Sequence, residues 1–368
     1  MNEKIINNLM WWIPIRKLRD NVREYLINNE NDKSNNYKKI NDIHYKIDNF
    51  YKNENEKLIS YPHNWLEYVD NENFIDVFEK LITNLDYESE EIVYTFFRRM
   101  IRRHKYKDNS LLTLTYSEKE YKKELDKKEL YVLDFDDYIY YNKFKLPKNI
   151  PSEYSIDNNF IGIQTHEYIF NKYLPNIFFD NKDIIDAGAC CGDTSIFLSQ
   201  FTNKYVHAFE PVESTYNILI NTLSLNRKHH NNIIPIKKAL SNFNGNSSIF
   251  LSNWLPGASM SNTFKLDNLK EEKIEIIKLD DYVNENNLNV GLIKVDIEGE
   301  EQKFLEGAYN TISSQRPYLL ISIYHNPSDF FNIKPIIESY NLNYKFHILK
   351  AIPHSGHYDI SLLCIPRN

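Results

Sequence analysis

The chain has 368 residues, a formal net charge of −7, 42% hydrophobic and 26% charged residues, a balance that suits a soluble fold with a large core, or a core plus a small second domain. The negative charge argues against a general nucleic-acid binder, no run approaches the roughly 18 apolar residues of a membrane span, and no signal-peptide pattern is present. Three cysteines, Cys190, Cys191 and Cys364, are too few for a disulfide framework or a paired-cysteine metal site, so a reducing cytoplasm is the expected location.

The first 110 residues read as a mainly helical region. MWWIPIRKLRDNVR (10–23) sets Trp11, Trp12 and Ile13 beside Arg16, Lys17, Arg19 and Arg23. Aromatic and basic side chains together suit a segment lying on an anionic bilayer; they equally suit a helix packed on a partner protein or a second protomer. NNENDKSNNYKK (28–39) is too polar to pack and reads as a loop or exposed helix end. FIDVFEKLITNL (74–85) places Phe74, Val77, Phe78, Leu81 and Leu85 on one helical face. EEIVYTFFRRMIRRHKYK (90–107) predicts a second helix with Ser89 as its N-cap. Its basic end, RRMIRRHKYK (98–107), reads as a solvated face that, if it binds anything, suits a phosphate group.

Residues 111–180 read as a connecting hairpin and helix segment. YVLDFDDYIYYNKFKLP (131–147) suggests a hairpin with Asp136–Asp137 near its turn, and Pro147 and Pro151 mark a boundary. From 181 to 368 short apolar strands alternate with amphipathic helices. The strands are DIIDA (183–187), YVHAF (205–209), IIPIKKAL (233–240), GLIKVD (291–296), LLISIY (319–324), YKFHILK (344–350) and ISLLCI (360–365). Helices are expected at 193–201, 213–225, 300–312 and 331–340. This alternation predicts an α/β fold with a doubly wound, largely parallel, seven-stranded sheet whose last strand is antiparallel.

Ligands of such a sheet sit at the carboxyl ends of the strands, so the turn in IIDAGACCGDTSIFL (184–198) comes first. A dinucleotide fingerprint starting at Gly188 needs glycines at 190 and 193, where this chain has Cys190 and Asp193. That disfavours a nicotinamide cofactor, and with it a nicotinamide-dependent sugar oxidoreductase. S-adenosylmethionine has no pyrophosphate, and its methionine and sugar portions suit the turn Asp186, Gly188, Ala189, Gly192, Asp193 and Thr194 at a helix start. Gly188 and Gly192 would bring backbone close to the ligand. In HAFEP (207–211) a strand ends on Glu210 and Pro211, where a carboxylate would accept from the ribose hydroxyls.

The stretches DIIDAGACCGDTSIF, VHAFEP, IIKLDDYV, LIKVDIEGEEQKFLEGA and LLISIYHNP resemble the FkbM family of S-adenosylmethionine-dependent methyltransferases, over about residues 155–368. The resemblance implies a Rossmann-like methyltransferase sheet, O-methyl transfer, and a sugar or a nucleotide- or lipid-linked glycan as acceptor. MWWIPIRKLRDNVR is similar to a leader of bacterial surface-carbohydrate enzymes, which points to surface polysaccharide biosynthesis, in the cytoplasm or at the inner membrane face. The chain departs from the family's turn at Cys190–Cys191, read as packing rather than chemistry.

A sugar hydroxyl is a poor nucleophile near neutral pH, so a general base or a metal is expected. Asp296 and Glu298 follow one strand and His325 ends the next, on the same rim. They read as catalytic, with His325 as base, although the three could also ligate a divalent ion. Glu300 and Glu301 read equally as acids favoured at a helix start or as further members of this cluster, and Asp280 reads as an N-cap. The small polar stretch GASMSNTF (257–264) offers Ser259 and Ser261 as acceptor contacts. A homo-oligomer is compatible with all of this. A non-catalytic scaffold for glycan assembly is the rival outside enzymes; Asp186, Glu210 and Asp296 weigh against it.

Overall fold

The computed structural model describes residues 65, 68, 74–106, 132–134, 138–141, 143–147, 161–228, 231–251, 258–259, 270–350 and 360–367. The Trp/Arg stretch 10–23, the Asn-rich stretch 28–39, the pair Asp136–Asp137 and Ser261 lie outside them.

Helix α1 (Phe74–Ile82) buries Phe78 and Leu81 as its periodicity predicts, and α2 (Tyr87–Tyr106) follows. Ser89 does not cap α2. It lies inside the helix, and Asp86 Oδ1 accepts its N–H at 2.8 Å, so the cap is Asp86. The Ser89 hydroxyl instead accepts the N–H of Ile348 at 2.9 Å. Arg99, in the basic stretch read as solvated, is buried.

The aromatic run at 131–147 is a three-stranded antiparallel meander, β1 (Val132–Asp134), β2 (Tyr138–Tyr141) and β3 (Phe144–Pro147), rather than one hairpin. Helix α3 (Ile161–Tyr173) then leads into the alternating region.

There the chain forms β4 (Asp183–Ala187), α4 (Asp193–Leu198), β5 (Val206–Phe209), α5 (Glu213–Asn226) and β6 (Ile233–Ile236). After β7 (Ala239–Leu240), β8 (Gly245–Leu251), β9 (Ala258–Ser259) and β10 (Lys270–Ile277) come α6 (Leu279–Glu285), β11 (Val290–Val295), α7 (Glu301–Gly307) and α8 (Tyr309–Gln315). The chain continues through β12 (Tyr318–Ser322), α9 (Pro327–Ser339), β13 (Tyr344–Lys350) and β14 (Ile360–Pro366). Seven strands pair in the order β13-β14-β12-β11-β4-β5-β6, with β14 antiparallel to both neighbours. The antiparallel strand is thus enclosed, and β13 takes the edge.

Two expected elements are split. IIPIKKAL gives β6 to the main sheet and β7 to a second, four-stranded sheet, β7-β10-β8-β9. Pro235 lacks an N–H and tolerates β6 only at an edge. EEQKFLEGAYNTI gives α7 and α8, broken at Ala308. Asp280 does not cap its own helix α6; its carboxylate accepts the N–H groups of Asn310 and Thr311, at 3.0 and 2.7 Å, and caps α8.

Neighbouring residues of the central strands face opposite layers, as pleating requires. Ile185, Ile293 and Ile321 pack with α7, α8, α9 and the N-terminal helices α1 and α2. Ile184, Leu292 and Leu320 pack with β3, α3 and α4. Strand order reverses between β4 and β11, and the carboxyl ends of these two strands open the crevice where ligands of this architecture bind.

Candidate active site

The turn after β4 is closed by the protein itself. Gly188 and Gly192 have φ of 78° and 85°, which favours glycine. A Cβ on Gly188 would lie 1.8 Å from the Asp296 carbonyl oxygen, and one on Gly192 would lie 2.5 Å from Leu219 Cδ1. The glycines therefore let the turn press on β11 and α5.

Asp186 is fully buried and turned inward: Oδ2 accepts the Ser195 hydroxyl at 2.6 Å, and Oδ1 lies 3.0 Å from Lys294 Nζ. Lys294 also donates to the Gly188 carbonyl at 2.7 Å. Burial works against its charge, but Asp186 and Asp296 hold its pKa above the ordinary lysine value. Both oxygens of Asp186 are thus used within the protein, and it acts by shaping the turn. Ala189 and Thr194 are buried, and Asp193 is half-buried with its carboxyl raised by loss of hydration. The cysteines are unbridged; Cys190 and burial push the Cys191 thiol well above its ordinary value, which removes the reactive thiolate and agrees with a packing role.

Glu210, at the end of β5, is buried. Oε1 accepts the Val212 N–H at 3.0 Å and the Thr215 hydroxyl at 2.7 Å, while Oε2 accepts the Cys190 N–H at 3.0 Å. A carboxylate offers about four acceptor sites, so Oε2 keeps capacity for a ligand hydroxyl. Burial raises its pKa, and these donors work against the rise. The residue that follows, Pro211, is half-buried. The β8–β10 hairpin leans on this point: Val212 packs with Ile249, Ile274 and Ile276, and the Glu213 N–H bonds Glu272 Oε1 at 2.7 Å. Ser259 lies in β9, paired with Phe250 of that hairpin.

Beyond β11 the backbone makes a tight left-handed turn, with φ of 58° at Glu298 and 100° at Gly299. A non-glycine residue there is strained, and such strain gathers at functional sites. The turn brings Asp296 and Glu298 to His325. His325 Nε2 lies 3.3 Å from Asp296 Oδ1 and 3.5 Å from Glu298 Oε2, and Nδ1 lies 3.0 Å from Glu301 Oε1. The three catalytic candidates are therefore together, and Glu301 joins them. Glu301 is fully buried, and its carboxylate turns back to accept the N–H groups of Ile297 and Gly299 at 3.0 and 2.9 Å. Only Glu300 behaves as a helix-start acid, pairing with Lys303.

Burial opposes charge on His325, but Glu301, Glu298 and Asp296 raise its pKa to about 10. The three carboxylates thus favour a positive charge at this position. Crowding at the turn and the neighbouring Asp296 and Glu301 carboxylates push the Glu298 carboxyl upward and His325 opposes the rise, while the side chain itself remains 45% exposed to water. Behind Glu301, buried Asp329 accepts from Gln302 Nε2 at 2.7 Å; burial and the Glu301 carboxylate push it up to about 8. Asp296, Glu301 and His325 each offer a metal-ligating atom, all within 4.8 Å of one another.

Lys294 escaped the sequence reading, although it had a signal, a lone charge in the apolar run GLIKVD. For Glu301 the sequence left the choice open, because an acid in a first helical turn looks the same whether it faces water or a histidine. An open hollow of about 560 Å³ lined by Asn84, Glu338, Asn341 and Arg367 contains none of these groups. Among the described residues, no helix is long and apolar enough to cross a membrane.

Residues 186–350 match a family model, Methyltransferase FkbM domain. No curated protein matches the chain. Among solved structures it is similar to methyltransferase FkbM from Methylobacillus flagellatus KT, at 18% identity and a TM-score of 0.49, over 83% of this chain and 62% of that one. The chain thus spans less than two thirds of that protein. It is also similar to Aeropyrum pernix fibrillarin in complex with natively bound S-adenosyl-L-methionine, at 9% identity and a TM-score of 0.37, over 65% of this chain and 83% of that one. M. capricolum TrmK in complex with S-adenosyl-homocysteine gives 17% identity and a TM-score of 0.32, over 57% of this chain and 68% of that one.

Proposed function

Because residues 186–350 are a methyltransferase FkbM domain, we propose that the chain is an S-adenosylmethionine-dependent O-methyltransferase that acts on a sugar hydroxyl of a surface-glycan precursor. One observation carries the reading. The acid–imidazole cluster of Asp296, Glu298 and His325 stands on the rim beside the Gly188 turn, whose backbone touches the Asp296 carbonyl. A group that manages a proton beside a methyl-donor turn suits a protic acceptor such as a hydroxyl.

The residues of the turn fit the cofactor: buried Glu210 keeps acceptor capacity on Oε2, and Cys190 and Asp193 stand where a dinucleotide needs glycines. Bound there, S-adenosylmethionine supplies an activated methyl group. Glu210 would receive its ribose hydroxyls, Lys294 and Asp186 keep the turn in shape, and the carboxylates of the cluster would take up the acceptor's proton. Most of the acceleration then comes from alignment and exclusion of water. Sugar acceptor, cytoplasmic location and docking through the Trp/Arg stretch belong to the same proposal, which the family resemblance supports.

The test is calorimetric titration with S-adenosylhomocysteine, NAD and NADP, followed by mass spectrometry of nucleotide- and lipid-linked sugars incubated with S-adenosylmethionine. Micromolar binding of S-adenosylhomocysteine alone is expected, weakened by roughly 10–100-fold in Glu210→Ala with the loss of charge-assisted hydrogen bonds. Binding of a nicotinamide cofactor instead, or methylation of none of the sugars, would overturn it.

A further inference from the structure

We propose that Asp296, Glu298 and His325 form a binding site for one divalent cation of the Mg2+ or Mn2+ class, with Glu301 as the residue that positions the imidazole for it.

Three observations carry this. First, the geometry: neighbouring ligand atoms on one ion stand roughly 3.0–3.5 Å apart, Asp296 Oδ1 and Glu298 Oε2 lie 3.3 and 3.5 Å from His325 Nε2, and Asp296, Glu301 and His325 offer atoms all within 4.8 Å of one another. Second, the partners: His325 is 9% exposed, yet neither ring nitrogen makes a hydrogen bond of acceptable geometry, Nδ1 despite Glu301 Oε1 nearby, and neither does the buried Asp296 Oδ1 beside Nε2. The two atoms border a common space without bonding each other. A buried polar atom left so is costly unless something else satisfies it. Third, the charge: Asp296, Glu298 and Glu301 face a single imidazole, and Lys294 on the other side is engaged by Asp186 and the Gly188 carbonyl. The cluster therefore holds more negative charge than its protein partners offset.

Glu301 completes the arrangement. Its carboxylate is fully buried, fixed by two backbone N–H groups, and set 3.0 Å from Nδ1. A carboxylate on one imidazole nitrogen fixes the tautomer that presents the other to a metal. The mixed oxygen and nitrogen donors suit a hard or borderline ion, with water and the acceptor at the remaining positions. The role of the ion rests on the function proposed above: it would polarise the acceptor hydroxyl and favour loss of its proton.

The experiment adds Mn2+ to the full-length protein and follows the paramagnetic resonance signal of the free aqueous ion, with calorimetric titration of S-adenosylhomocysteine run separately. One Mn2+ per chain is expected, displaced by excess Mg2+. Glu301→Gln should weaken it by about 10–100-fold, and His325→Ala and Asp296→Asn by more. Asp296 is 36% exposed, so Asp296→Asn should keep the wild-type circular dichroism spectrum and thermal midpoint, which separates loss of a ligand from loss of the fold. A free-ion signal unchanged by the protein, or Mn2+ bound as tightly by folded Asp296→Asn as by wild type, would overturn the site. Cofactor uptake without Mn2+ uptake sinks this inference alone, whereas Mn2+ uptake without cofactor uptake supports the site and sinks the methyltransferase reading.

Discussion

At Lys294 a strand buried on both faces carries an ammonium group, and Asp186 is what makes that tolerable. Removing one member of a buried pair leaves the other charge stranded, at a cost of about 3–5 kcal/mol. Lys294→Met should therefore lower stability by about that much, read from the urea midpoint, while Lys294→Met with Asp186→Asn should recover part of the loss. A double variant no more stable than the single would show that the pair is not the cause. Gly188→Ala is predicted to be severe in a different way. Its Cβ meets a backbone oxygen, which cannot rotate aside, so the turn must move away from β11. Weakened S-adenosylhomocysteine binding with little change in thermal midpoint would fit a displaced turn. An unchanged affinity would not.

Helix starts show what the sequence can and cannot specify. Ser89 and Asp280 are both good N-cap residues by type, and each does cap-like work elsewhere. Ser89 accepts from Ile348 on the edge strand β13, and Asp280 holds the first turn of α8, which follows it by some thirty residues. Residue chemistry was legible; the partner was not, because it is set by which element packs alongside. The same holds for the site. Asp296, Glu298, His325 and Glu210 could be placed from strand ends alone, since topology puts every carboxyl end on one rim. Glu301 depends on a side chain turning back over its own helix start, and no periodicity encodes that. At α2 the cap is Asp86, whose carboxyl also lies 2.5 Å from His347 Nδ1. Burial alone would raise the Asp86 pKa, but the Ser89 N–H and His347 bring it below the usual carboxylate value. A group lowered on folding contributes stability above its unfolded pKa, and that contribution fades as pH falls through the folded value. Asp86→Ala should cost about 1 kcal/mol at pH 7, and the gap to wild type should narrow on acidification below about pH 4. A gap that widens with acid would refute the assignment.

Across the whole molecule, α1 and α2 share one core with the α/β sheet. Trp65 packs on Phe96 and Phe330, Tyr68 stacks on Phe331 at 5.1 Å, and Phe74 meets Phe331 edge-on at 5.4 Å. Phe330 and Phe331 belong to α9, whose N-cap is Asn326, next to His325. Fully buried Lys334 donates to the carbonyls of Lys80 and Thr83, at 3.1 and 2.5 Å, and closes the end of α1. The first helices thus brace the helix that sets the histidine. Phe331→Ala should cost about 3–5 kcal/mol of stability, measurable by urea unfolding with tryptophan fluorescence. A loss under about 1 kcal/mol would mean that α1 and α2 only rest on the domain.

That bracing has a consequence for how the chain comes into being. The residues that cover α9 leave the ribosome long before it does, since Lys334 bonds to carbonyls more than 250 positions earlier in the chain. Until α9 is made, the aromatic faces of α1 and α2 lack the cover that Phe330 and Phe331 give them. Contacts between such distant parts of a chain form late and slow folding. A nascent chain stalled before residue 327 should therefore be sticky, retained by chaperones that a full-length chain releases, and native protein should form only once the last third of the sequence is free to close over the first.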